Sequence, residues 1–172
     1  MNWFAKIIIT MSMAVCGAVA ANWTGSAVEP ENMKKIDGKA FYVITSAEEL
    51  AWFANQVNSG KTTINAILNN DIVFGANTSS TCSKAWTPIG KDSSHIFNGI
   101  IDGGLHTIYG LYINDAKFAG FVGIMGVNGI VKKMTLTVGN IKATKTSNYV
   151  GGFVAISSGK IDSVVNKNSI SS

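Results

Sequence analysis

The sequence predicts an all-β chain, a parallel β-solenoid closed at its N-terminal end by one α-helix. Three observations carry this. A helical period occurs once, over 47–59. After Gly60 the chain breaks into short β-rich runs cut by Gly, Asn, Asp and Ser. An apolar pair three residues apart then recurs as Ile108-x-x-Leu111, Val131-x-x-Met134 and Ile161-x-x-Val164.

Residues 1–20 have the order of a secretory signal peptide: a short start with Lys6, an apolar run from Ile7 to Ala20 interrupted by Thr10, Ser12 and Gly17, and small residues at Ala18 and Ala20. The run falls short of the roughly 20 apolar residues that a membrane span needs. Export to the cell surface or the medium is expected, with no transmembrane span once the signal is cut after Ala20 or Ala21. Cleavage removes Cys16 and leaves Cys82 without an intramolecular partner, so packing alone must hold the fold. Residues 21–40 are polar, with Gly25, Pro30 and Gly38, and read as an entry segment.

The run FYVIT, 41–45, is β-branched and aromatic and suits a strand. Ser46 then stands as an N-cap with Glu49 three residues on, the spacing of a capping box. Leu50, Phe53, Ala54 and Val57 fall on one helical face, and Gly60 supplies a stop. The runs NAILNNDIVFG, FNGIID, HTIYGLYIN, FAGFVGIM, GIVKKMTLTVG, YVGGFVAIS and GKIDSVV follow as strands.

Spacing of three is the informative part of the repeat. A straight strand puts i and i+2 on one face, so both members of the pair point inward only if the chain bends between them. Tyr109-Gly110, Lys132-Lys133 and Asp162-Ser163 then sit on the bends, facing out. The copies begin 23 residues apart, 108 to 131, and 30 apart, 131 to 161. Coils of about 23 residues, one lengthened by a loop at 138–148, would stack at roughly 4.8 Å. The helix covers the open edge of the first coil.

The succession TSAEELAWFANQVNSG, NAILNNDIVFG, WTPIG, FNGIIDGGLHTIYGLYI, GFVG with GIVKKMTL, and VGGFVAISSGKIDS resembles the GLUG-repeat family of bacterial surface proteins. Similar segments occur in large adhesin-like proteins and in non-catalytic parts of IgA-specific metallopeptidases. The likeness spans about residues 40–165, with GLUG-like copies at about 118–136 and 150–166. It implies a right-handed parallel β-helix over 41–172, at a cell surface, and no single activity. Only about two copies are present, and the chain stops at NSISS without a visible cap, as expected of a truncated product or of the opening segment of a longer array. An uncapped last coil is expected to leave a strand edge that favours self-association.

The charge balance is 14 Lys+Arg against 10 Asp+Glu, and every basic residue is lysine. Without arginine the chain lacks the group that grips phosphates and guanine edges in two-point contacts, so no nucleic-acid partner is expected. No H-E-x-x-H or G-x-S-x-G motif occurs. His95 and His106 are eleven apart and Cys82 stands alone, so neither a metal nor any other cofactor is expected. In IIDGGLHTIYGL, Asp102-Gly103-Gly104 reads as a turn that leads His106 into a strand.

The expected role is therefore a non-enzymatic, exported segment serving adhesion, contact with polysaccharide or host-surface glycan, or spacing. Trp52, off the apolar helix face, and Trp86, in WTPIG, are the candidate rings for stacking on sugars. The alternative is a small secreted polysaccharide lyase or hydrolase, with Asp71 and Asp102 as its carboxylates on adjacent coils.

Overall fold

The computed structural model describes residues 22–75, 84–114, 117–142 and 149–171. Residues 1–20, where a signal peptide is expected, and Cys82 lie outside them. The protein is mainly β with one short helix.

Its first two strands, β1 (Met33–Ile36) and β2 (Lys39–Ile44), pair antiparallel. Asp37 and Gly38 between them have φ of 48° and 79°. Two positive φ values make the type I′ turn that matches strand twist, and Asp-Gly is among its preferred sequences. The last eight residues of the entry segment, 33–40, thus belong to this hairpin. Trp23 ahead of it is buried, its backbone N–H donating to the Phe74 carbonyl at 2.8 Å.

Helix α1 (Ala47–Val57) begins at Ser46, whose hydroxyl accepts the Glu49 N–H at 3.2 Å. The Glu49 carboxylate reaches back one residue further than a capping box requires, accepting the Thr45 N–H at 2.6 Å and its hydroxyl at 2.9 Å. Two carboxylates in the first turn also suit the positive end of the helix dipole. The helix stops two residues before the expected 59, with Asn58 as its cap. Leu50, Phe53, Ala54 and Val57 are buried.

Strands β3 (Asn65–Leu68), β4 (Ile72–Val73), β5 (Ile100–Asp102), β6 (Thr107–Tyr109), β7 (Tyr112–Asn114), β8 (Phe118–Ala119), β9 (Val122–Met125), β10 (Ile130–Lys142), β11 (Tyr149–Val150), β12 (Val154–Ser157) and β13 (Lys160–Ser171) follow. Among the described residues every ladder after the hairpin is parallel. One row runs Tyr42, Ala66, Ile101, Val131, Ile161 across β2, β3, β5, β10 and β13. The long β10 borders β5, β6 and β7 in turn on one side and β13 on the other, so it bends twice along its length. Two small sheets, β8 with β11 and β9 with β12, complete the wall.

The bends lie where the apolar spacing placed them, but in another register. Gly110, Lys133 and Ser163, the second residue of each predicted corner, have φ of 71°, 54° and 54°. Ile108, however, pairs with Leu136, not with Val131. Val131 lies over Ile101 and under Ile161, so partners are 30 residues apart on both sides, and the expected coil of 23 is corrected. The sequence match had laid a second corner on a first. Gly110 stacks beside Val138, also at positive φ (57°), while Lys133 stacks beside Ser163. The two corners share one apolar pattern because both turn inward-facing side chains around the same kind of bend.

Ile72, Ile101, Ile108, Leu111, Ile113, Phe121, Val131, Leu136 and Ile141 line the interior with α1. On β13 the corresponding residues emerge: Ile161 is 41% and Ile170 52% exposed.

Candidate functional site

Trp86 does not present a stacking face. It is 3% exposed, its ring lies parallel to Phe121 (5.8 Å, 16°) and edge-on to Phe74 (5.3 Å), and its indole N–H donates to the Phe121 carbonyl at 3.0 Å. This corrects the expectation for Trp86: a ring in WTPIG is drawn inward because Trp23, Phe74 and Phe121 form an aromatic cluster around it. A small cleft of about 180 Å³ beside α1, between Trp23, Asn55, Lys84 and Trp86, meets the tryptophans only at their buried margins. Trp52 is half-buried, edge-on to Tyr42 at 5.1 Å.

The carboxylates of the alternative reading are apart in register. Asp102 stands beside Ile67, whereas Asp71 precedes Ile72, the partner of Ile108. Each has a structural duty. Asp102 accepts the Gly104 N–H at 3.0 Å and pairs with the Lys132 ammonium at 3.0 Å. Asp71 accepts the Thr107 N–H at 2.9 Å and meets His106 Nδ1 at 3.3 Å. His95 Nδ1 lies 2.6 Å from the Asp92 carboxylate, and that hydrogen bond holds Asp92 below the usual carboxylate range. Among the described residues no three of His, Cys, Asp and Glu gather as metal ligands.

The more open feature lies along the starts of the stacked strands. Asn65, Ile100, Ile130 and Lys160 stand in one row across β3, β5, β10 and β13. With Lys39, Thr63, Asn98, Val127 and Asn128 they line a groove of about 630 Å³. Three strand spacings make the row roughly 14 Å long. Its floor is apolar and half-buried at Ile100 and Ile130, its sides carry amides, and Lys39 and Lys160 stand toward its two ends. Its lining contains no carboxylate, although Lys160 reaches Asp162 at 3.2 Å. The amides are set by the stack itself: Asn65 donates to the Ala40 carbonyl at 3.0 Å and accepts the Ile100 N–H at 2.9 Å.

Sequence reasoning missed this groove, because the residues of its row are 30 to 35 apart and share no motif. Tyr149, one of the rings the sequence offers for sugar stacking, is 48% exposed and stacked on Phe118 (5.5 Å, 13°) with Lys117 above that ring.

No family model matches the chain, and no solved structure matches it. Over 81 residues, 46% of the chain, it is 36% identical to a protein of Evansella cellulosilytica named provisionally as a Gly-rich membrane protein. The matched stretch is 9% of that protein's length. Among the described residues no helix is long and apolar enough to cross a membrane.

Proposed function

We propose that the chain is an exported, non-enzymatic segment of right-handed parallel β-helix that contacts acidic glycans at a cell surface. The parallel ladders and the 30-residue displacement support the solenoid, and the strong right-handed bias of parallel crossovers supports its hand. The signal-like leader and the likeness to GLUG repeats support a surface location.

The groove at the strand starts carries the glycan reading. An apolar floor suits the C–H face of a sugar ring, amides suit its hydroxyls, and lysines toward the two ends suit carboxylates along an acidic polysaccharide. Stacked coils repeat this surface at strand spacing, which matches a linear ligand better than a compact one.

Calorimetric titration with oligogalacturonate, against an uncharged oligosaccharide of the same length, tests it. Saturable binding that weakens with salt and drops at least tenfold in Lys39→Glu/Lys160→Glu, with an unchanged circular dichroism spectrum, is the expected result. Equal binding by the double variant removes the groove from the reading. Binding to neither sugar leaves the segment as a spacer, and chain cleavage by the protein would establish the enzymatic alternative.

A further inference from the structure

β13 is hydrogen-bonded on one side only: among the described residues its partner is β10. Behind its free edge the interior is open, with Ile161 and Ile170 each at least 41% exposed, and on the outer face Val165 is 48% exposed. The opposite end differs. There the buried face of α1 packs with Ile44 and Phe97, and the outermost strand is the four-residue β1 carrying Lys34 and Lys35, a short and charged edge of the kind that resists pairing.

We infer that two copies of this chain join through β13, edge to edge and antiparallel, about a two-fold axis at Val165. A two-fold makes each copy offer the same surface, and two identical strands related by it must run in opposite directions. Most such strands would lose the match of inward and outward side chains at their bends. This one does not over its central part. In β10, the strand beneath, the buried residues Val131, Met134, Leu136 and Gly139 are placed symmetrically about Thr135, with an outward pair on each side at 132–133 and 137–138. Thr135 is the partner of Val165.

The axis at Val165 therefore sets Val164 opposite Asn166, both on the inward side, and Ser163 opposite Lys167 on the outward side. Lys167 of each copy comes beside Asp162 of the other, so unlike charges meet and no two like charges are opposed. The match covers 163–167, since Asn168 turns its side chain inward to the Gly139 N–H whereas Asp162 faces out. Beyond it β13 is one residue shorter than β10 at the second corner, where Thr137 pairs with Lys167 and Asn140 with Ser169. Val165 meets its own copy on the axis, and the two open core ends close on each other.

Light scattering on the chain cut after Ala20, with Cys82 replaced by Ser to exclude another disulfide, tests this. The expected mass is that of two chains, falling to one in Val165→Lys, which places two ammonium groups on the axis while leaving an exposed site's fold intact by circular dichroism. In the same background Val165→Cys should oxidise to a covalent dimer at least tenfold faster than Lys35→Cys on β1. A one-chain mass at all concentrations overturns the inference and assigns the edge to some other occupant, such as a further coil. A dimer that survives Val165→Lys, or no faster cross-linking at 165, overturns the axis.

Discussion

The side-chain oxygen of Asn58 accepts the backbone N–H of Gly90 at 3.0 Å, fastening the end of α1 to a loop 32 residues on. The same oxygen takes the Lys91 N–H at 3.0 Å, and the amide nitrogen donates to the Pro88 carbonyl at 2.9 Å. Asn58 is 8% exposed. Gly90 is fixed in turn: its φ is 71°, and a methyl there would sit 2.5 Å from the Ile124 carbonyl.

Asn58→Ala leaves buried backbone groups without partners, so it should cost about 2–4 kcal/mol. Urea unfolding followed by tryptophan fluorescence measures this, since Trp86 lies four residues before Gly90. A loss under half a kilocalorie would mean that water replaces the side chain.

Gly110 and Val138 occupy the same stacked corner at positive φ, one without a side chain and one with a branched one. Val138→Gly relieves a conformation that costs a β-branched residue about 1–2 kcal/mol, partly offset by added freedom in the unfolded chain. A net gain of about 0.5–1 kcal/mol is expected in thermal unfolding. Gly110→Ala should act oppositely and more strongly, because its methyl would collide with the Gly75 carbonyl.

Trp86→Ala empties the aromatic cluster and leaves the Phe121 carbonyl with the Ile89 N–H as its remaining donor, so a loss of about 3–5 kcal/mol is expected. Trp52→Ala, at a half-buried ring, should cost less than half as much. Any sugar binding lost on Trp86→Ala should track unfolding, as parallel binding and melting curves would show.

Asp92 should titrate below the usual aspartate range, chiefly because of its hydrogen bond to His95, and His95→Ala should bring it back toward that range. A carboxyl depressed by folding adds stability above its unfolded pKa. That contribution is lost as pH falls through the lowered folded value. The acid limb of stability should therefore flatten in His95→Ala, while carbonyl-detected NMR follows Asp92 itself.

Local chemistry was legible where a few adjacent residues decide the outcome. Ser46 and Glu49 marked the start of α1, and the three-residue apolar spacing marked real bends at Gly110, Lys133 and Ser163. Asp37-Gly38 carried a hairpin signal too, outweighed by the polar stretch around it. Register was harder. Ile108 and Val131 look equivalent because each precedes a bend, and only hydrogen bonding between strands shows that Ile101 is the residue beneath Val131. The burial of Trp86 was not readable either, since Trp23, Phe74 and Phe121 come from three distant segments. The groove from Asn65 to Lys160 is likewise a product of stacking.

The displacement between β5, β10 and β13 has a consequence in time. Strands β3, β5, β6, β10, β11, β12 and β13 each find a partner 24 to 36 residues earlier in the chain, so a polypeptide produced N-terminus first has a template strand in place before the later one appears. Among the described elements the hairpin and α1 supply the earliest surface. Assembly can then proceed as a zipper in one direction, with only about one such interval of unpaired chain to protect from misassociation.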